Sequence, residues 1–177
     1  MYLYDNLFAE YSISVAQMLL TKYVLLEDRR KNVENAMERL ISHRVIPVIN
    51  ENDTVAIDEL ELEVGENDSL AAIVADIAKA DLLIIMSDID GLYDKDPHTY
   101  EDAKLIPVVH EITDEIKALA GGAGTNLGTG GMITKINAAE MAMNAGIDMA
   151  ILNGRNPDIL YDLFDGKQVG TIFTANK

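Results

Sequence analysis

Short apolar runs alternate with amphipathic segments along this chain, and that alternation most narrows what it can fold into. Val45-Ile-Pro-Val-Ile49 and Leu82-Leu-Ile-Ile-Met86 are too short for helices and too apolar for loops, so they read as buried strands. Lys104 to Val109 reads as a third strand, Met149 to Leu152 as a fourth and Thr171 to Phe173 as the last. Between them, apolar residues at helical spacing predict helices over Asp28–His43 (Val33, Ala36, Met37, Leu40, Ile41) and over Ser69–Ala80, the latter capped by Asp68 or Ser69. Further helices are expected at Thr113–Leu119, with a Thr113 cap and carboxylates at Glu111 and Glu115 nearby, and at Met132–Asn144, ending at Gly146 in an αL cap. A short helix is expected at Pro157–Phe164. Apolar strands that alternate with helices predict an α/β fold, a three-layer α/β/α sandwich whose sheet is mostly parallel. Met1–Lys22 reads as amphipathic helix followed by an extended turn, with no strand before it. An α/β sheet ordinarily begins with a strand, so the fold reads as entered part-way through. No repeat, low-complexity linker or internal boundary stands out, and 1–177 reads as one partial domain.

Composition limits the partners. The chain has 30 acidic and 14 basic residues, a formal net charge of -16 over 177 residues. So negative a surface repels nucleic-acid phosphates and anionic lipid, and neither partner is expected. The absence of cysteine removes disulfides and thiolate metal sites. No run is long and apolar enough for a membrane helix and no signal peptide opens the chain, which predicts a cytoplasmic location.

Ligands on a parallel sheet gather at the carboxyl ends of its strands, and four clusters there carry chemistry. Gly121-Gly-Ala-Gly-Thr-Asn-Leu-Gly-Thr-Gly-Gly-Met-Ile-Thr-Lys135 leads into a helix. Glycines admit backbone N–H groups close to an anion, the helix N-terminus adds partial positive charge, Lys135 adds a full charge, and Thr129 and Thr134 add hydroxyls. Together these make a polyphosphate cradle, although a flexible loop has the same composition and neither the Walker A order nor a clean dinucleotide fingerprint is present. Asn50-Glu-Asn-Asp53 follows the first apolar run and suits an ammonium and carboxylate pair on a small polar ligand, or else an Asx turn. In Gly65-Glu-Asn-Asp-Ser69, Asn67 can bond a ligand and Asp68 can orient lysines or water about a phosphate, or the segment is a plain helix cap. Ser87-Asp88, after the second apolar run, can contact a nucleotide, and the Asp90-Gly91 that follows can equally be a turn. Glu51 to Asp68 holds eight acidic residues and no basic one, without diagnostic metal spacing, and reads as a solvated loop. His43, His98 and His110 read as structural, and Met132, Met141, Met143 and Met149 as core.

Val48-Ile-Asn-Glu-Asn-Asp53, Gly65-Glu-Asn-Asp68, Ser87-Asp-Ile-Asp-Gly-Leu-Tyr-Asp-Lys-Asp-Pro97 and Gly128-Thr-Gly-Gly-Met-Ile-Thr-Lys135 together resemble the amino-acid kinase family, in the right order and across essentially the whole chain. The resemblance implies ATP and magnesium as cofactors and phosphorylation of the γ-carboxylate of L-glutamate to an acyl phosphate, the first step of proline biosynthesis. It implies Asp53 and Asn67, with Asn50 and Asn52, as glutamate-binding residues, and Ser87 and Asp88 as nucleotide contacts. It also implies Thr129, Gly130, Gly131, Met132, Ile133, Thr134 and Lys135 as the phosphate loop. Lys135 would stabilise the transferring phosphoryl group and Asp68 would orient the catalytic lysines. Aspartate, acetylglutamate, carbamate or uridylate as acceptor, and a non-catalytic ligand-binding module, stay open as alternatives. The family's opening strand with its Lys-x-Gly-Ser loop, the serine-bearing substrate loop that follows, and the RNA-modification-type domain of some members are not found in these residues. The expectation is therefore an impaired kinase with partly built half-sites, whose open sheet edges favour a homo-oligomer.

Overall fold

A computed structural model describes residues 1–21, 27–52, 67–120 and 131–175. The chain divides into two compact units, Met1–Leu70 and Ala71–Lys177, a division that the sequence pattern does not mark. In the first unit, α1 (Tyr2–Ala9) is followed by β1 (Ser14–Leu20), α2 (Glu27–Ser42) and β2 (Val45–Glu51). The two strands pair in parallel from Ser14↔Val45 to Leu20↔Glu51, and Asn52 N–H donates to Leu20 O at 2.7 Å just beyond. A parallel pair needs a crossover, and α2 provides it. Met37 on α2 is 2 % exposed, an Arg30–Glu34 pair at 3.0 Å lies one turn apart on the same helix, and Arg44 at φ 58° turns the chain into β2.

The strand at Ser14–Leu20 corrects the expectation of helix and extended turn over 1–22. Val15, Met18 and Leu19 are spaced three and four apart, so they fit a helix as well as a strand. Pairing with β2, some thirty residues on, decides the matter, and local sequence does not contain it.

Helix α3 (Asn67–Ala78) carries the chain from one unit into the other. Asp68 and Ser69 are its second and third residues, not its cap, and the helix begins two residues earlier than expected. Its end is a Schellman turn: Ala80 N–H reaches Ala75 O at 2.9 Å and Lys79 N–H reaches Asp76 O at 3.1 Å, with Lys79 at φ 53°.

The second unit is built on β3 (Leu82–Ser87), β4 (Val108–Val109), β5 (Asp148–Asn153) and β6 (Thr171–Phe173) in the order β3-β5-β6-β4. β3 and β5 are parallel, β4 and β6 are parallel, and β5 and β6 run antiparallel. With the parallel β1–β2 pair, the architecture is α/β with mostly parallel pairing, as the alternation predicts. Helices α4 (Asp114–Ala120), α5 (Met132–Asn144) and α6 (Ile159–Phe164) complete the unit. Thr113 caps α4, its hydroxyl accepting from Ile116 N–H at 3.3 Å.

Met149, Ile151, Leu152 and Phe173 are wholly buried, as are Ile136, Ala138, Ala139 and Ala142 of α5. The alanines let the helix backbone lie close to β5, so a densely packed interior needs few large side chains. Met149 is core as expected, and Met132 and Met143 pack against the core, whereas Met141 is exposed. Strand pairing over 104–109 is shorter than expected. Only Val108 and Val109 form a strand, because Pro107 has no N–H to give a ladder. Residues 104–106 pair instead with the turn after β3, with Asp94 N–H on Lys104 O at 3.0 Å and Ile106 N–H on Leu92 O at 2.8 Å.

Candidate active site

The carboxyl ends of β3 and β5 lie side by side in the second unit, with Ser87 opposite Asn153. Gly154 N–H donates to Ser87 O at 2.7 Å and extends the pairing past the last strand residues. A Cβ on Gly154 would stand 3.3 Å from Met86 Cβ and 3.4 Å from Ser87 O, so the small residue permits this close approach. Ser87 Oγ donates to Asp88 Oδ1 at 3.2 Å, and Asp88 is exposed at the edge. The sequence-predicted pair thus stands where a parallel sheet presents its ligand groups.

Helix α5 brings its N-terminus to the same edge. The turn at Gly146 (φ 77°) reverses the chain between α5 and β5 within three residues. Thirteen helical residues rise about 20 Å and six strand residues span about 20 Å, so the start of α5 comes level with the end of β5. Gly131 caps α5 without a side-chain hydrogen bond, and the first turn carries no acidic residue. Thr134 N–H is taken by Gly131 O at 3.2 Å, and among the described residues no carboxylate in this first turn competes with an anion for the helix N-terminus. Ile133 is 38 % exposed. Thr134 is buried and donates its hydroxyl to Gly131 O at 2.9 Å, which fixes the first turn. Lys135 is half-buried on the fourth helical residue and takes part in interactions of its own. Thr129 and Gly130, with the rest of the glycine-rich stretch, lie outside the described residues.

The second group of predicted residues divides between β2 and α3. Asn50 is exposed at the carboxyl end of β2, and Asn52, just past it, is half-buried with its N–H on Leu20 O. Asn67 opens α3, exposed, and Asp68 follows, half-buried and already engaged. A carboxylate in the first turn complements the helix dipole. Asp53 lies outside the described residues.

Sequence reasoning missed the side chains that tie the first edge together. Asp90 accepts from Asn153 Nδ2 at 2.7 Å and from Tyr93 OH at 3.0 Å. Asn153 Oδ1 in turn accepts from Arg155 N–H at 3.0 Å. The Asn153 and Tyr93 hydrogen bonds, with the Arg155 charge behind them, hold the Asp90 carboxyl below its ordinary range. Burial and the bond to Asp90 push the Tyr93 phenol up. The available signal was Asn153 as the last residue of a strand, opposite the Ser-Asp pair.

Among the described residues, no three His, Asp or Glu side chains converge as a metal site. The arrangement can hold an anion at a helix N-terminus and a polar ligand along two adjacent strand ends.

A family model described as the amino acid kinase family matches residues 1–153. The chain is 52% identical to the glutamate 5-kinase of Clostridium perfringens, over all of this chain and 67% of that protein. It is 49% identical to the glutamate 5-kinase of Listeria innocua, over all of this chain and 65% of that one. The chain thus spans about two thirds of the length of the curated relatives it matches. Among solved structures, UMP kinase from Ureaplasma parvum aligns with a TM-score of 0.62 at 15% identity, covering 96% of this chain and 63% of that one. UMP kinase from Bacillus anthracis aligns with a TM-score of 0.63 at 14% identity, covering 97% and 62%. At such identities the structural likeness concerns the fold alone.

Proposed function

The chain belongs to the amino acid kinase family, and from that premise we propose that it serves the ATP-dependent phosphorylation of the γ-carboxylate of L-glutamate to glutamyl 5-phosphate, the first step of proline biosynthesis. The observation that carries this reading is the 52% identity to a glutamate 5-kinase across the whole chain.

The acceptor carboxylate is already ionised near neutral pH, so the protein needs no general base to prepare it. What the transfer needs is an in-line approach and compensation for charge on the moving phosphoryl group. Gly131 to Lys135 supply the helix N-terminus and one full positive charge, a contact of a kind whose loss typically costs about 3 kcal/mol of transition-state stabilisation. Ser87 and Asp88 meet the nucleotide at the strand edge, and Thr129 and Gly130 extend the phosphate loop. Asn50, Asn52, Asp53 and Asn67 hold the ammonium and α-carboxylate of glutamate, and Asp68 orients the lysine charge. Magnesium, when bound, would shield the phosphates, held by phosphate oxygens with one or two carboxylates. Self-association belongs to the same proposal, and Tyr2, Leu3 and Leu7 of α1, each more than half exposed, offer apolar surface for it.

The test is ADP release from ATP, magnesium and L-glutamate, with aspartate as the control acceptor and nucleotide binding read separately by calorimetry. Glutamate-dependent release and nucleotide binding, both sharply reduced by Lys135→Ala, are expected. Equal release with aspartate, or nucleotide binding indifferent to Lys135→Ala, would overturn the reading.

A further inference from the structure

The carboxyl edge of the second unit contains a closed ring whose Asp90–Asn153 link the mechanism above does not use. The backbone runs from Ser87 to Asp90, crosses to β5 through the Asp90–Asn153 hydrogen bond at 2.7 Å, passes along the Asn153–Gly154 peptide, and returns through Gly154 N–H to Ser87 O at 2.7 Å. Asp88 sits inside that ring, in the turn clamped at both ends. Two further bonds brace it: Tyr93 OH on the second Asp90 oxygen at 3.0 Å, and Arg155 N–H on Asn153 Oδ1 at 3.0 Å.

These groups lie on the surface, where a turn of this kind is ordinarily free to move. Here both carboxylate oxygens of Asp90 and both ends of the Asn153 amide are spoken for. A second carboxylate next to Asp88, at an edge that faces a helix N-terminus, also works against an incoming anion unless its charge is engaged. Two donors and the nearby Arg155 engage it.

We infer that Asp90 is a positioning residue for nucleotide recognition: through Asn153 it staples the turn after β3 to the turn after β5, and so holds Ser87 and Asp88 in place before the nucleotide arrives. The inference rests on the kinase reading. A turn ordered in advance removes the cost of ordering it from the binding step. Asp90 contacts no reacting atom, so its loss acts on the nucleotide and not on the acceptor.

The test is the Kd for ADP, measured by calorimetry on the full chain. Asp90→Ala and Asn153→Ala are each expected to weaken ADP about tenfold, the effect of losing the one charged hydrogen bond that joins the two turns. Asn153→Asp, which faces two carboxylates across 2.7 Å, weakens it at least as much. The double variant Asp90→Asn with Asn153→Asp rebuilds the bond between the two side chains with donor and acceptor exchanged, leaves an oxygen on each for Tyr93 OH and Arg155 N–H, and returns Kd to within about threefold of the parent. The KM for glutamate stays within about twofold throughout, which a general loss of structure would not allow. Circular dichroism identifies folded variants, and the Asn153 substitutions carry the test where Asp90→Ala does not fold. Unchanged Kd in the folded single variants, or a double variant no better than Asn153→Asp, would overturn the inference. A parent chain that binds no ADP would overturn the kinase reading itself.

Discussion

Thr171 is a fully buried hydroxyl that joins three segments. It donates to Ile106 O at 2.7 Å and accepts from Leu92 N–H at 2.8 Å, so β6 is tied to the loops on either side of the Tyr93↔Leu105 bridge. Thr171→Val keeps the volume, strands the buried Leu92 N–H and removes the donor from the half-buried Ile106 C=O. The expected loss is about 2 to 3 kcal/mol in a urea titration. The neighbouring Gly170, at φ 61°, has no room for a Cβ, which would collide with Ile151 O. Asp90 invites a pH experiment. Its pKa is lowered on folding, so its contribution is complete above the ordinary carboxylate range and is lost as pH falls through the folded value. The stability difference between the parent and Asp90→Asn should therefore be constant above about pH 5 and shrink below about pH 4. Neither Thr171 nor Asp90 announces itself in the sequence. Leu92 lies 79 residues from Thr171 and Asn153 lies 63 from Asp90, and Asp90-Gly91 by itself reads as an ordinary turn.

Helix α5 offers an experiment in which stability and function part company. Its first turn holds no acidic residue, and Ile133 there is exposed. Ile133→Glu would complement the helix dipole and raise stability by about 0.3 to 1 kcal/mol. The same carboxylate would occupy the place proposed for phosphate, so ADP affinity should fall while the melting temperature rises. A substitution that raised both would argue against an anion at this end. The Lys117–Glu140 pair between α4 and α5, at 2.7 Å but more than a third exposed on both sides, should contribute less than about 1 kcal/mol when Lys117 is truncated. At this scale the sequence is readable where the period is unambiguous. The apolar runs at Val45 and Leu82 and the helix at Met132–Asn144 emerge where the pattern puts them. It misleads where a period fits two structures, as at Ser14–Leu20, or where proline interrupts a run, as at Pro107.

The two units differ in how much they bury. Among the described residues, the buried apolar side chains of the first unit are Leu20 and Met37, and the remainder belong to the second. Amide exchange should follow that difference, with β5 slowest and β1 and β2 measurably faster. Equal protection in β2 and β5 would contradict it. The division between the units falls inside α3, between Leu70 and Ala71, where no glycine, proline or change of composition could mark it in the sequence. A last consequence concerns β6. It runs against β3 and β5, and Ala175 N–H, just after it, bonds Asp148 Oδ1 at the opposite end of β5 from Asn153. Ala175 therefore stands at the end of β5 opposite the one that carries Asn153. A probe attached at position 175 would stand about a strand's length, ~20 Å, from Asn153, clear of the edge proposed for the nucleotide.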